Sequence, residues 1–138
     1  MTPRHQEKLF PKEYARELMA IARGDLDSAA ALQKAWVGRP ENIGFHAHQA
    51  MEKSLKAALC ACGLKVPLVH DLGVLVARLP EDPDRAFGFE LTAFDEFVTL
   101  RRYLEGPGPV TPDEIAQLMT TARQIVDWAE GVLTKRGL

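Results

Sequence analysis

Residues 45–62, reading FHAHQAMEKSLKAALCAC and closing at Gly63, constrain this chain more than any other stretch. Ala47, Ala50, Met51, Leu55, Ala58, Leu59 and Cys62 recur at the three- and four-residue steps of an α-helix, so they line one face that points into a core. His46, Gln49, Lys53 and Lys56 fall on a second stripe at the same spacing. That stripe places an imidazole, an amide and two ammonium groups along one line expected to stay accessible to water.

The flanking segments read as further helices. Tyr14, Leu18, Ile21, Ala29, Leu32 and Trp36 step helically through residues 12–36, with Gly24 interrupting. A mid-helix glycine costs about 1 kcal/mol relative to alanine, so a neighbouring helix is expected to cross closely there, or the helix to bend. Gly38 and Pro40 mark the first break. Gly63 and Pro67 end the second helix. Asp71 is a candidate N-cap for a short helix carrying Leu72, Leu75, Val76 and Leu79, which Pro80 stops. An aromatic helix is expected from Arg85 onward, with Phe87, Leu91, Phe94, Val98 and Leu104 on one face. Gly106-Pro107-Gly108-Pro109 is the strongest break. Thr111-Pro112-Asp113-Glu114 then reads as a capping box for a last helix through Ile115, Leu118, Ala122, Ile125 and Ala129 to Lys135. No stretch alternates as a half-buried strand would. The expected fold is therefore all-α: an up-and-down antiparallel bundle of four long helices plus a short one, over residues 12–138, behind a loosely held polar leader at 1–11.

Composition narrows the function classes. At 138 residues, with 46% hydrophobic and 26% charged residues, the chain suits one soluble domain. No apolar run reaches the ~18 residues of a membrane span. A net charge of -2 and a pI near 6.1 fall well short of the pI above ~9 that marks a basic nucleic-acid domain, so any anion site is local. Residues 1–11 lack the apolar segment of a secretory signal, which makes the cytoplasm the expected compartment. Cys60 and Cys62 point about 200° apart on a helix and have no second pair, so they read as small buried hydrophobes, with neither metal nor cofactor expected.

His46-Ala47-His48-Gln49-Ala50-Met51-Glu52-Lys53-Ser54-Leu55-Lys56-Ala57 resembles the HEPN family, named for higher eukaryotes, prokaryotes and nucleotide binding. Ala22-Arg23-Gly24-Asp25-Leu26, Pro67-Leu68-Val69-His70-Asp71-Leu72 and Arg102-Tyr103 fall in the order that family places such elements, and the resemblance spans residues 14–133. It implies a helical bundle that usually forms a homodimer. Many relatives stand beside a minimal nucleotidyltransferase in systems that resemble toxin–antitoxin pairs. Some branches are metal-independent ribonucleases with a late Arg-x(4–6)-His motif, and others are thought to bind nucleotides or RNA without cutting. Here no histidine follows Arg101 and Arg102, so the late motif is missing. His48 stands where a first glutamine is usual, and Leu104 follows Tyr103 where proline is common.

The residues themselves leave alternatives open. His46, Gln49, Lys53 and Lys56 suit a phosphate-contacting stripe, yet Glu52 with Lys56 is also an ordinary i,i+4 helix pair on a solvated face. Arg102 can grip a phosphate bidentately while Tyr103 stacks on a base, or it can bridge to Asp25 or Asp27. His70 suits acid–base work or a bond linked to the Asp71 cap. No serine or cysteine sits in a recognisable nucleophile motif. The expected function is a nucleotide- or RNA-associated module acting with a nucleotidyltransferase partner. The alternatives are a ribonuclease toxin built on His46, His70 and Arg102, and a ligand-free dimerisation domain.

Overall fold

In a computed structural model that describes residues 6–99, 101 and 109–138, the chain runs β1 (Glu7–Lys8), α1 (Tyr14–Ala35), α2 (Pro40–Ala61), β2 (Val66–Pro67), α3 (Leu72–Arg78), a 3-10 helix (Phe89–Phe97) and α4 (Pro112–Lys135). The fold is an all-α helical bundle. Helix α2 is its centre: α1 packs along it across the short turn at residues 36–39, α4 packs on it from another side, and α3 and the 3-10 helix cover the rest. Met51, Leu55 and Leu59 of α2 are fully buried with Leu72 and Leu75 of α3, Leu91, and Ile115, Leu118 and Ile125 of α4.

Local signals set the helix ends. Pro40 opens α2 at a position whose N–H has no helical partner anyway, and Gly63, with φ +72°, turns the chain out after Cys62. Asp71 Oδ1 accepts from Val74 N at 3.1 Å and caps α3. Thr111 Oγ1 accepts from Glu114 N at 3.1 Å and caps α4. The reciprocal half of the expected box is diverted, because the Glu114 carboxylate instead faces Arg101 Nη1 at 3.5 Å.

The buried stripe of α1 is Ala15, Leu18, Met19, Ala22, Leu26 and Ala29. Ile21 and Trp36, expected inside, are 45% and 42% exposed. Ile21 sits one residue, about 100°, round the helix from that stripe. Trp36 has already left the helix: its φ of 50° and ψ of 50° make it the left-handed cap, with its N–H on Leu32 O, two residues before the glycine expected to end the helix. Gly24 does not mark a close helix crossing, since a Cβ placed there meets nothing within 4 Å. Gly24→Ala is therefore expected to stabilise the protein by about 1 kcal/mol in urea unfolding.

The expected aromatic α-helix is, over Phe89–Phe97, a 3-10 helix. Its three-residue period aligns Leu91, Phe94 and Phe97 toward the core and leaves Phe89 66% exposed. Leu104 lies outside the described residues. The leader is tied down from Gln6 onward: Glu7 and Lys8 pair antiparallel with Pro67 and Val66, Leu68 N donates to Gln6 O at 2.8 Å, and the Cys60 thiol faces Pro11 O at 3.2 Å. Two-residue strands lack the length for an alternating pattern, which hid this ladder from the sequence. Among the described residues no helix is long and apolar enough to cross a membrane.

Candidate functional site

Glu52 lies on the buried side of α2, in helical step with His48, Leu55 and Leu59, and is fully buried. A carboxylate removed from water must be met by donors. Lys53 Nζ donates to Glu52 Oε2 at 2.7 Å and Lys56 Nζ donates to the same oxygen at 3.0 Å. On the other oxygen, Oε1, stands His70 Nδ1 at 2.7 Å, brought over by the segment between β2 and α3. Lys53 also donates to Gln49 Oε1 at 3.3 Å. Burial alone pushes the Glu52 carboxyl up. The hydrogen bond from Lys53, the charges of Lys56 and Lys53, and the bond from His70 outweigh it and hold the group at about 2.

The polar stripe of α2 thus has a different character from the one expected. Lys53 and Lys56 are not free cations on a solvated line: their side chains keep only 23% and 13% exposure, and both are engaged by one buried carboxylate. The His70 side chain, by contrast, is 71% exposed. Its bond goes to Glu52, while the Asp71 side chain caps α3 without it. His46 borders the cluster on α2, with its Nδ1 buried and without a hydrogen-bond partner among the described residues. Asp25 of α1 stands in the same field: burial raises its carboxyl above the usual range, nearby His46 and Lys53 draw it down, and Glu52 pushes it up. Arg102 and Tyr103 lie outside the described residues.

An ammonium has three N–H donors. Among the described residues Lys53 spends two and Lys56 spends one, which leaves three without a partner there. The two Nζ atoms lie no further apart than their two bonds to Oε2 laid end to end, about 5.7 Å. Together with the outer edge of His70, they can meet an anionic group of phosphate size. No group of three or more His, Cys, Asp or Glu among the described residues is arranged to hold a metal ion. A cleft of about 150 Å³ between Leu79, Asp82, Trp128 and Val132 is lined by none of the candidate residues.

A second buried polar link supports the site from behind. His48 is fully buried, and its Nε2 meets Asp95 Oδ1 at 2.9 Å. That oxygen also accepts from Leu72 N at 3.0 Å. One carboxylate so joins α2, the 3-10 helix and the start of α3, two residues past His70. On the far side of α1, Arg23 pairs with Asp127 at 3.0 Å and with Glu130, fixing α1 to α4.

The HEPN domain model matches residues 15–132, most of the chain. This chain belongs to the HEPN domain family. A crystal structure of TT1696 from Thermus thermophilus is similar to it, with a TM-score of 0.74 and 29% identity over 87% of this chain and 98% of that one. No curated protein matches the chain. Three of the HEPN-like elements meet in space: the Glu-Lys-x-x-Lys run of α2 supplies the carboxylate and the lysines, the His-Asp-Leu run supplies His70 and the α3 cap, and the α1 element supplies Asp25. Sequence reasoning missed Glu52 and His48. The signal for both was their register, since residues 48, 52, 55 and 59 form one inward stripe, and a glutamate inside such a stripe must be paired.

Proposed function

We propose that this HEPN-domain protein is a non-enzymatic nucleotide-holding module, homodimeric, that acts with a minimal nucleotidyltransferase in a toxin–antitoxin-like system. The observation that carries the reading is the Glu52 cluster, in which Lys53, Lys56 and the exposed imidazole of His70 meet on one buried carboxylate. Gln49 accepts from Lys53, and His46 acts on the same Asp25 carboxyl as Lys53 does. Arg102 and Tyr103, close in sequence to the buried Arg101, remain candidate contacts for a phosphate and a base.

Electrostatics favour a small nucleotide over a long RNA. Counting Asp25, two carboxylates offset two ammoniums, so the site projects no net positive field, and the whole chain carries -2. Steering of a polyanion needs such a field. A mononucleotide needs only directed donors. Adenosine or guanosine nucleotides at millimolar concentration are expected to raise the melting temperature, because a ligand of the folded state stabilises it in proportion to RT ln(1 + [L]/Kd). An unchanged melting temperature across all of them overturns the reading and leaves the ligand-free dimerisation domain.

One observation favours a second reading, metal-independent ribonuclease. A buried carboxylate on Nδ1 of an exposed histidine orients an imidazole as acid–base chemistry requires. Incubation with total RNA in the absence of metal tests it. Cleavage that disappears in His70→Ala would replace the first reading with this one.

A further inference from the structure

Glu52 Oε2 receives the ammonium groups of Lys53 and Lys56 at 2.7 and 3.0 Å, and these bonds and charges hold the carboxyl well below its ordinary range, so at neutral pH it is an ionised carboxylate. An ionised carboxylate has no proton to give. The proton in the 2.7 Å bond between Glu52 Oε1 and His70 therefore sits on Nδ1. In the neutral ring Nε2 is then a bare acceptor, and it lies on the far side of a side chain that is 71% exposed. Most surface histidines interconvert between tautomers, whereas here the buried glutamate selects one.

We propose that Glu52 fixes His70 as its Nδ1–H tautomer so that Nε2 accepts a hydrogen bond from a ligand hydroxyl while Lys53 and Lys56 hold the ligand's anion, which makes the site selective for ribonucleotides over their deoxy counterparts. The proposal rests on the nucleotide reading above and adds the substrate class to it. Its geometric basis is that one carboxylate carries both recognition elements. The lysine Nζ atoms and His70 Nε2 are separated by at most the width of that carboxylate, two hydrogen bonds and the imidazole ring, roughly 10 Å. A nucleoside 5′-monophosphate spans a comparable distance from its phosphate to its ribose hydroxyls. The donors left on Lys53 and Lys56 suit the phosphate, and an acceptor on His70 suits the hydroxyl, which a lysine or arginine in that place would not. The charge-balanced cluster sharpens the choice, because without a net field the neutral hydroxyl contact becomes a large share of the discrimination.

The experiment is calorimetric or NMR titration of the full chain with adenosine 5′-monophosphate and its 2′-deoxy and 3′-deoxy forms at about pH 8. The ribonucleotide is expected to bind roughly three- to tenfold tighter than at least one deoxy form, the range that a single hydrogen bond gives. His70→Ala, a change at an exposed side chain, is expected to abolish that difference while binding to all three persists. A two-bond proton–nitrogen correlation spectrum of the wild-type protein is expected to show His70 protonated on Nδ1. Equal binding of all three nucleotides to the wild type overturns the hydroxyl proposal and leaves the nucleotide reading standing. The hydroxyl proposal also falls, alone, if the difference survives in His70→Ala, or if His70 carries its proton on Nε2. No binding of any of the three, nor of the corresponding guanosine nucleotides, overturns both.

Discussion

Glu52→Gln is expected to lower stability at neutral pH by about 3 kcal/mol and the melting temperature by on the order of 10 °C. The carboxyl is held at about 2 in the folded protein against 4.5 ordinarily, and each unit of difference is worth about 1.4 kcal/mol. The sign follows from the direction. A carboxyl whose folded value is depressed stabilises the fold in full above its ordinary value, near 4.5, and loses that contribution as the pH falls toward 2. The wild-type protein should therefore show an acid limb in that window, read from urea unfolding at a series of pH values, and Glu52→Gln should flatten it. Asp25 works in the opposite direction, since its carboxyl is raised by burial, and it blunts the limb in both proteins. A variant as stable as the wild type at neutral pH would mean that the two lysines and His70 contribute no more to the folded protein than an amide does. The loss is large for one residue because Glu52 is fully buried and its lysine partners are mostly covered, so water screens these contacts little.

Glu52 also stands at the boundary between what was readable in the sequence and what was not. The helix ends were legible because their signals are local: Pro40, Gly63, the Asp71 cap and the Thr111 cap each act within four residues. The apolar stripes of α2 and α4 were legible because their period is long and regular. The site was legible by residue type and not by role. Lys53 and Lys56 stand on the stripe where the helical period puts them, but whether a lysine faces water or a buried carboxylate depends on a segment eighteen residues away in sequence, through His70. The expected aromatic helix failed for a related reason. Propensity does not separate a 3.6 period from a 3.0 period over nine residues when apolar positions 91, 94 and 98 suit the first and 91, 94 and 97 suit the second. What selects the tighter helix here is tertiary: Asp95 is held by His48 and Leu72 N, and Phe97 is seated on α2.

The seat of Phe97 supplies the second large effect. Gly44 is the α2 residue under that ring: a Cβ at this position would stand 2.1 Å from Phe97 Cδ1 and 2.4 Å from Cε1. Gly44→Ala sets two terms against each other. Alanine favours the helix interior by about 1 kcal/mol, whereas overpacking of this kind costs about 1–3 kcal/mol and more when the neighbour cannot yield. Phe97 has little room to yield. Its ring is 4% exposed, Arg101 lies 5.8 Å above it, and its own 3-10 helix is anchored through Asp95 to His48 at 2.9 Å. The clash should win, with a net loss of about 2 kcal/mol, or a larger loss if the 3-10 helix is displaced and the buried His48–Asp95 contact goes with it. The double variant Gly44→Ala/Phe97→Ala separates the causes. Phe97→Ala alone should cost about 3–5 kcal/mol through the cavity it leaves, and adding the alanine methyl to that cavity should now stabilise, so the two changes couple favourably in a double-mutant cycle. Additive effects in that cycle would show that the ring does not rest on Gly44, and with it would go the reason for a glycine in the most buried helix of the bundle.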